Sequence, residues 1–261
     1  MKKMLDMIVR SNEQLNYHNY LLKVTPVTNV QLPEMNPGNF VQIEVKDSVN
    51  TFLRRPISVN FLDKQKNEMW LLVQDIGEGT HHICQTKEND QLNIILPLGN
   101  SFTIPSNLDL ERRLLLIGGG VGTAPMLFLG KILKDKGFYP TFLLGGRSSQ
   151  DLLQLDDFEE IGTVYCTTED GTKGEQGFVT DHTILNHQHF DQIYTCGPKP
   201  MMMAVAKYAR ENEIECEVSL ENLMACGFGA CLCCIEKTTK GNLCTCTDGP
   251  VFNIKDLLWH N

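Results

Sequence analysis

Residues 114–125 read LLLIGGGVGTAP. Four aliphatic residues in a row, Leu114 to Ile117, suit a strand buried on both faces, as strands of a parallel sheet are. The run Gly118-Gly119-Gly120-Val121-Gly122 then turns the chain. Pro125 fits the first turn of a helix that Thr123 would cap and Gly137 would end. Strand, glycine turn and helix make half of a βαβ unit. Further buried-strand candidates lie at 141–144, 164–167, 193–195 and 216–220, and a helix is expected over 201–212. This alternation predicts a doubly wound α/β domain.

Upstream the rhythm changes. Strand candidates are 20–27, 39–45, 57–62, 69–76 and 91–96, each short, β-branched or aromatic, and closed by turns such as Pro37-Gly38, Asp63 and Gly77-Glu78-Gly79. Five or six strands with no intervening helix predict an antiparallel barrel. Residues 103–112 read as a polar connector. The expected fold is a β-barrel plus α/β, with the barrel over 1–102, the doubly wound parallel sheet over 103–218 and a cysteine-rich segment over 219–261.

A chain of 261 residues suits one large or two medium domains and can build a core without staples. No apolar run approaches ~18 residues. The start, MKKMLDMIVRSNEQ, is broken by Asp6 and Arg10 and is too short for a signal-peptide core. A cytoplasmic protein without a membrane anchor is expected. Net charge is −9, and residues 102–222 hold 18 acidic against 10 basic side chains. With no basic run, a nucleic-acid partner is not expected. Residues 223–261 carry three charges of each sign, which suggests a tail covered by something.

Half of the ten cysteines fall between Cys226 and Cys244, with Cys246 just beyond. In a reducing compartment such crowding points to metal or redox chemistry rather than disulfides. Cys226, Cys231 and Cys234 have the spacing C-x4-C-x2-C of plant-type 2Fe–2S proteins, which add a distant fourth cysteine. Gly227, Gly229 and Ala230 would let the loop wrap closely and aim N–H groups at sulfur. Zinc held by four cysteines is the competing metal, but its pairs are usually two to four residues apart. Cys233 adjoins Cys234 and should point elsewhere. Spacing leaves Cys244 and Cys246 open as the fourth ligand.

The glycine turn could admit a phosphate at a helix N-terminus, or it could serve tight packing alone. No Walker lysine follows, so a nucleotide kinase is a poor reading. Cys196-Gly197-Pro198 ends a later strand. Both loops would lie at carboxyl ends of parallel strands, where open α/β sheets bind ligands.

GGGVGTAP and CGPKPM, with Arg55-Pro56-Ile57-Ser58 and Gly77-Glu78-Gly79-Thr80 in the barrel, resemble the ferredoxin–NAD(P) reductase superfamily. The resemblance implies a flavin on the barrel and a nicotinamide on the second domain. By it, Arg55 pairs with the FAD pyrophosphate, Ser58 lies near the reactive edge, and Pro56 and Ile57 between them bind the cofactor as part of the same signature. Leu72, Val73 and Gln74 border the flavin, and Gly79-Thr80 donate to its phosphates. Gly118, Gly119, Gly120 and Gly122 would face NAD, together with Cys196, Gly197 and Pro198. Cys196 would sit by the nicotinamide or be a buried small residue. NAD against NADP stays open at Arg147-Ser148, which could take a 2′-phosphate; the acidic surroundings and the family favour NAD. The adjacent pair His81-His82 cannot easily share a metal, and Met201-Met202-Met203 reads as helix core.

The segment MACGFGACLCC…CTDGPVF resembles, more specifically, the electron-transfer subunits of B-type dihydroorotate dehydrogenases. There the fourth ligand is the cysteine before the Asp-Gly-Pro stretch, which implies a metal set of Cys226, Cys231, Cys234 and Cys246. The family usually has a small residue where this chain has Cys233. The resemblance implies FAD, a 2Fe–2S cluster and NAD as cofactors. It also implies an FMN-containing dihydroorotate dehydrogenase catalytic subunit as partner, in a heterotetramer of two copies of each. Electrons from dihydroorotate would cross the cluster and FAD and leave as NADH in pyrimidine biosynthesis. The partner would dock on the neutral lobe around the cluster, and Glu221 is expected near the flavin or nicotinamide. Two other readings compete: a diaphorase-type subunit of a hydrogenase or transhydrogenase, and a zinc-stapled nucleotide-sensing interaction module.

Overall fold

The computed structural model describes residues 2–46, 48–106 and 109–259; Asn107 and Leu108 of the expected connector lie outside them. Six strands close into an antiparallel barrel: β1 Lys3–Gln14, β2 Asn19–Pro26, β3 Phe40–Ile43, β4 Arg55–Asp63, β5 Glu68–Gln74 and β6 Gln91–Leu98. Their spatial order is β1-β2-β5-β4-β3-β6. Alternating apolar residues such as Leu22, Val24, Val59, Leu71 and Ile94 fill the interior.

Two elements depart from expectation. Strand β1 was not foreseen, because only Met7 and Val9 of its residues are buried. Its outer face is tied by polar contacts: Asn93 Nδ2 donates to Asp6 Oδ1 at 2.7 Å, and Arg10 Nε donates to Thr25 Oγ1 at 2.7 Å. The helix α1, Glu78–Cys84, interrupts a region where no helix was expected. Its sequence EGTHHIC is too short to show a period, and only Ile83 and Cys84 reach the barrel core.

The second half contains β7 Leu114–Gly119, α2 Thr123–Asp135, β8 Thr141–Gly146, α3 Leu155–Glu159, β9 Thr163–Thr168 and β10 Glu175–Gln176. It continues with α4 Ile184–His187, β11 Gln192–Cys196, α5 Lys199–Glu211 and β12 Glu215–Ser219. A hairpin, β13 Ile235–Thr238 and β14 Gly241–Cys244, follows the cysteine-rich loop, and β15 Val251–Asn253 comes last. The sheet order is β10-β9-β8-β7-β11-β12-β15, parallel except for β15. From β7 the chain builds outward through β8 to β10, then returns to β7's other side as β11. The topological switch point therefore lies between β7 and β11.

Thr123 is not the expected cap. Gly122 holds that position, and Thr123 is the first helical residue, with its hydroxyl donating to Gly120 O at 2.9 Å. Lys199 opens α5, so Pro200 lies inside the first turn rather than ahead of it. Met202 is buried in the core beneath that helix, with Met201 and Met203 packed at its edge.

The two halves meet at α2. Its Phe128 packs into the barrel core, and Asn60 Nδ2 of β4 donates to Ala124 O at 3.3 Å. The chain's end returns to the sheet: Phe252, Ile254, Leu257 and Trp259 are part of the nucleotide-side core. Ser219 pairs with Val251, and Leu220 N–H donates to Pro250 O at 2.9 Å. Residues 221–249 thus leave and rejoin the sheet at one place. On the way they cover the barrel, where Cys234 and Cys246 pack with Phe40 and Leu98.

Candidate functional site

Arg54 and Arg55 look alike in sequence and differ in the structure. Arg54 is committed to the barrel: Nη2 donates to Asn93 Oδ1 at 2.6 Å and Nη1 to Asn93 O at 2.8 Å. Arg55 has no ion-pair partner among the described residues, and its Nη1 donates only to main-chain oxygens, Leu53 O at 3.1 Å and Arg54 O at 3.5 Å. It lies across Gly79, where an added Cβ would come within 2.3 Å of Arg55 Nε. The absent side chain at 79 brings the guanidinium against the first turn of α1, whose N–H groups have no acceptor within the helix. The Thr80 hydroxyl closes that turn, accepting from the N–H groups of Ile76 and Gly77 at 3.1 Å each and donating its proton to Gly77 O at 3.0 Å. Thr80 can therefore offer a phosphate its N–H but not its hydroxyl. An unpaired arginine beside free amides fits a pyrophosphate.

Along β4 and β5 the expected flavin neighbours alternate. Arg55, Pro56, Ser58 and Gln74 are partly open, whereas Ile57 and Val73 point into the barrel core. Leu72 packs with Ala124 and Leu153 at the seam between the halves. The buried three can border a ligand only through their main chain. His81 is spent on Asp75, with Nδ1 and Oδ2 2.8 Å apart, and its ring centre lies 6.5 Å from that of His82.

At the switch point the two glycine loops touch. A Cβ on Gly122 would come within 2.4 Å of Cys196 O, and one on Gly119 within 2.6 Å of Met201 Sδ. Gly120 is different: it has φ +56°, and nothing lies within 4 Å of where its Cβ would be. Gly118, Gly119 and Gly122 thus serve close packing, while Gly120 leaves open space at the carboxyl end of β7. Replacing Gly122 by alanine is expected to cost about 1–3 kcal/mol through overpacking and to weaken nicotinamide binding; thermal unfolding and an NADH titration would show both.

Cys196 is fully buried, and burial together with nearby Glu221 holds its thiol well above the ordinary range. Its Sγ lies 3.9 Å from Glu221 Oε1. The Glu221 side chain remains open to solvent, yet the protein crowded around it pushes its carboxyl upward. A groove of about 530 Å³ at Glu159, Cys166, Lys173 and His182 takes no residue from this switch point.

The cysteine loop gathers its thiols into two groups. Cys231 lies beside the Cys226 thiol, and both Cys246 and Cys244 lie beside that of Cys234. Desolvation opposes ionisation of Cys226, but N–H groups of Phe228, Cys231 and Ala230 outweigh it and lower the thiol to about 6. The N–H groups of Ala230 and Cys231 lie 3.3 and 3.4 Å from Cys226 Sγ. Cys246 N–H donates to Cys234 Sγ at 3.4 Å, and Gly229 N–H donates back to the Cys246 sulfur. Burial and the neighbouring Cys234 raise the Cys246 thiol to about 12.

Among the described residues no three ligands converge on a single ion. Two thiol pairs with amides aimed at their sulfurs fit a dinuclear cluster, which takes its four cysteines two to an iron. Cys233 is exposed; Cys244 is half-buried beside Cys234, with its N–H held by Asp248 Oδ2 at 2.7 Å. Sequence reasoning missed Gln42, which is fully buried beneath Gly227.

Comparison with known proteins agrees with this geometry. Residues 221–258 match the iron–sulfur cluster binding domain of dihydroorotate dehydrogenase B, and residues 116–207 match an oxidoreductase NAD-binding domain. A dihydroorotate dehydrogenase B (NAD(+)) electron transfer subunit from Fusobacterium nucleatum subsp. nucleatum is 35% identical, with 98% of each chain covered. The subunit of the same name from Listeria innocua is 39% identical over 86% of this chain and 88% of that one. A solved NADH-dependent reduced ferredoxin-NADP oxidoreductase, described for flavin-based electron bifurcation, superposes with a TM-score of 0.85 at 28% identity, covering 97% of this chain and 90% of its own. An Amycolatopsis cytochrome P450 reductase shares the fold at a TM-score of 0.70 and 20% identity, covering 82% of this chain and 67% of that one.

Proposed function

The chain belongs to the dihydroorotate dehydrogenase B electron transfer subunit family, and from that premise we propose how its residues divide the work. It is an oxidoreductase subunit using FAD, a 2Fe–2S cluster and NAD, and it serves a dihydroorotate dehydrogenase catalytic subunit. Bound FAD links one-electron exchange with the cluster to two-electron hydride exchange with the nicotinamide.

In this reading the barrel over 1–102 holds FAD. Arg55 neutralises its pyrophosphate, and the N–H groups of Gly79 and Thr80 add hydrogen bonds. Ser58 and Gln74 present polar groups along the strands beside it, with Pro56 and the main chain of Ile57, Leu72 and Val73. The region over 103–218 holds NAD at the switch point. Gly120 leaves room there, and Cys196, Gly197 and Pro198 form the opposite wall. Buried and with a raised thiol, Cys196 keeps its proton at neutral pH and adds no charge beside the nicotinamide. At Ser148 the N–H donates to Asp151 Oδ2 at 3.0 Å, and this carboxylate disfavours a 2′-phosphate.

Residues 219–261 carry the cluster on Cys226, Cys231, Cys234 and Cys246. The two thiol pairs with N–H donors on their sulfurs are the observation that carries the reading. The partner docks around this loop, where Leu223, Phe228, Leu232 and Ile235 stand exposed. Such an apolar patch marks an interface. The partner's FMN, a two-plus-two assembly and a cytoplasmic location belong to the same proposal. No helix among the described residues is long and apolar enough to cross a membrane.

The anaerobically purified chain is expected to show flavin bands and a brown shoulder, with roughly two irons and about one FAD per chain. It should support NAD-linked dihydroorotate oxidation once its catalytic partner is added. A colourless, zinc-containing product would overturn the relay. Full cofactors with turnover only in a ferredoxin-linked system would move the chain to the transhydrogenase group.

A further inference from the structure

Gln42 sits in the middle of β3 and is 0% exposed. Its backbone is engaged: the carbonyl accepts from Arg54 Nη1 at 3.4 Å, and its strand partners are Pro56 and Ile95. Its side chain is not. Both amide atoms, Nε2 and Oε1, are buried without a hydrogen-bond partner among the described residues. An unsatisfied buried polar group is costly, and here one side chain carries two. A methionine or leucine would fill the same space without that cost.

The amide lies against the cysteine loop. A Cβ on Gly227 would come within 2.8 Å of both Gln42 Cγ and Nε2, and Gly227 has φ +77°. The residue next to Cys226 must therefore be glycine twice over: for its backbone conformation, and because Gln42 fills the space below it. Phe40, two residues earlier on the same strand, packs on Cys234 and Cys246. Strand β3 thus runs under both thiol pairs, with one buried donor aimed at the loop that joins the first pair.

We infer that the Gln42 side-chain amide is a buried hydrogen-bond donor to the sulfur shell of the 2Fe–2S cluster, and that it tunes the cluster's reduction potential. The inference rests on the cluster assignment proposed above. Reduction adds negative charge to the sulfurs, and hydrogen bonds to them are one of the terms that set cluster potentials. An N–H held in a site of low dielectric acts strongly on that charge. Without the donor, the oxidised form gains relative to the reduced one.

The test uses the chain loaded with FAD and cluster and bound to its catalytic partner. Gln42→Met is expected to keep two irons per chain and to move the one-electron equilibrium about tenfold toward the oxidised cluster, a shift of about 59 mV, read by EPR-monitored redox titration. In the wild type, glutamine labelled with 15N at the side-chain amide should give a nitrogen coupling in pulsed EPR of the reduced cluster, and Gln42→Met should remove it. An unchanged potential in a fully loaded variant overturns the inference. If the variant fails to load, the wild-type label decides alone, and absence of the coupling overturns the inference. A wild-type complex without any 2Fe–2S signal would instead overturn the cluster reading itself.

Discussion

Cys246→Ser is expected to abolish the iron–sulfur cluster, while Cys244→Ser leaves it in place. The two residues are separated only by Thr245, yet their surroundings differ. Cys246 is 1% exposed, its sulfur accepts from Gly229 N–H, and its own N–H donates to Cys234 Sγ. It is tied to Cys234 and to the loop that joins Cys226 to Cys231. The Cys244 thiol also lies beside that of Cys234, but Cys244 is only half-buried, ends β14 opposite Ile235 and spends its N–H on Asp248. Iron should fall from about two per chain to a trace in Cys246→Ser, with loss of the reduced-state EPR signal. NAD-linked turnover with the partner should drop by at least about 100-fold, since loss of even a ligand's outer-shell partner typically costs 10–100-fold. NADH oxidation by an artificial two-electron acceptor should survive within a few-fold, because the flavin side is untouched. The assignment fails if Cys244→Ser loses iron and Cys246→Ser keeps it.

Arg55→Leu is expected to weaken FAD binding, and Arg54→Leu to destabilise the barrel with FAD affinity retained. A hydrogen bond to a charged group contributes about 1.5–3 kcal/mol, so FAD affinity should fall roughly 10- to 150-fold. Arg54 binds Asn93 through two contacts; its loss should lower the unfolding temperature instead. Fluorescence titration of FAD and thermal melts separate the two effects. Equal FAD loss in both variants would mean that Arg55 holds the barrel rather than the cofactor.

The parallel sheet was legible because its strands are buried on both faces and so read as unbroken apolar runs, as Leu114 to Ile117 do. The cluster-binding segment was legible because a loop that wraps a cluster needs fixed cysteine spacing, and residues 221–258 match such a domain. Strand β1 was not, since a barrel strand with two inward apolar residues has no clear period. Thr123 misled because a threonine before a helix is a good cap, but the glycine turn ahead of it already supplies the start. Spacing could not choose between Cys244 and Cys246, and both lie beside Cys234; what differs between them, burial and the Gly229 amide near the Cys246 sulfur, arises only across the fold. Gln42 left no signal at all. A glutamine in FVQI reads as the polar face of a strand, and its burial comes from a loop almost two hundred residues away.

The pairing of Ser219 with Val251 and of Leu220 with Pro250 closes residues 221–249 at their base. Antiparallel neighbours lie about 4.5–5.5 Å apart, a gap that a two- to five-residue turn can bridge. The cysteine-rich lobe is therefore a cassette. Cutting it out and joining β12 to β15 by a hairpin should yield a shorter flavoprotein that still oxidises NADH. Conversely, any reductase with two adjacent antiparallel edge strands at this position could receive the lobe, provided its barrel offers the seat that Phe40, Gln42 and Leu98 provide here.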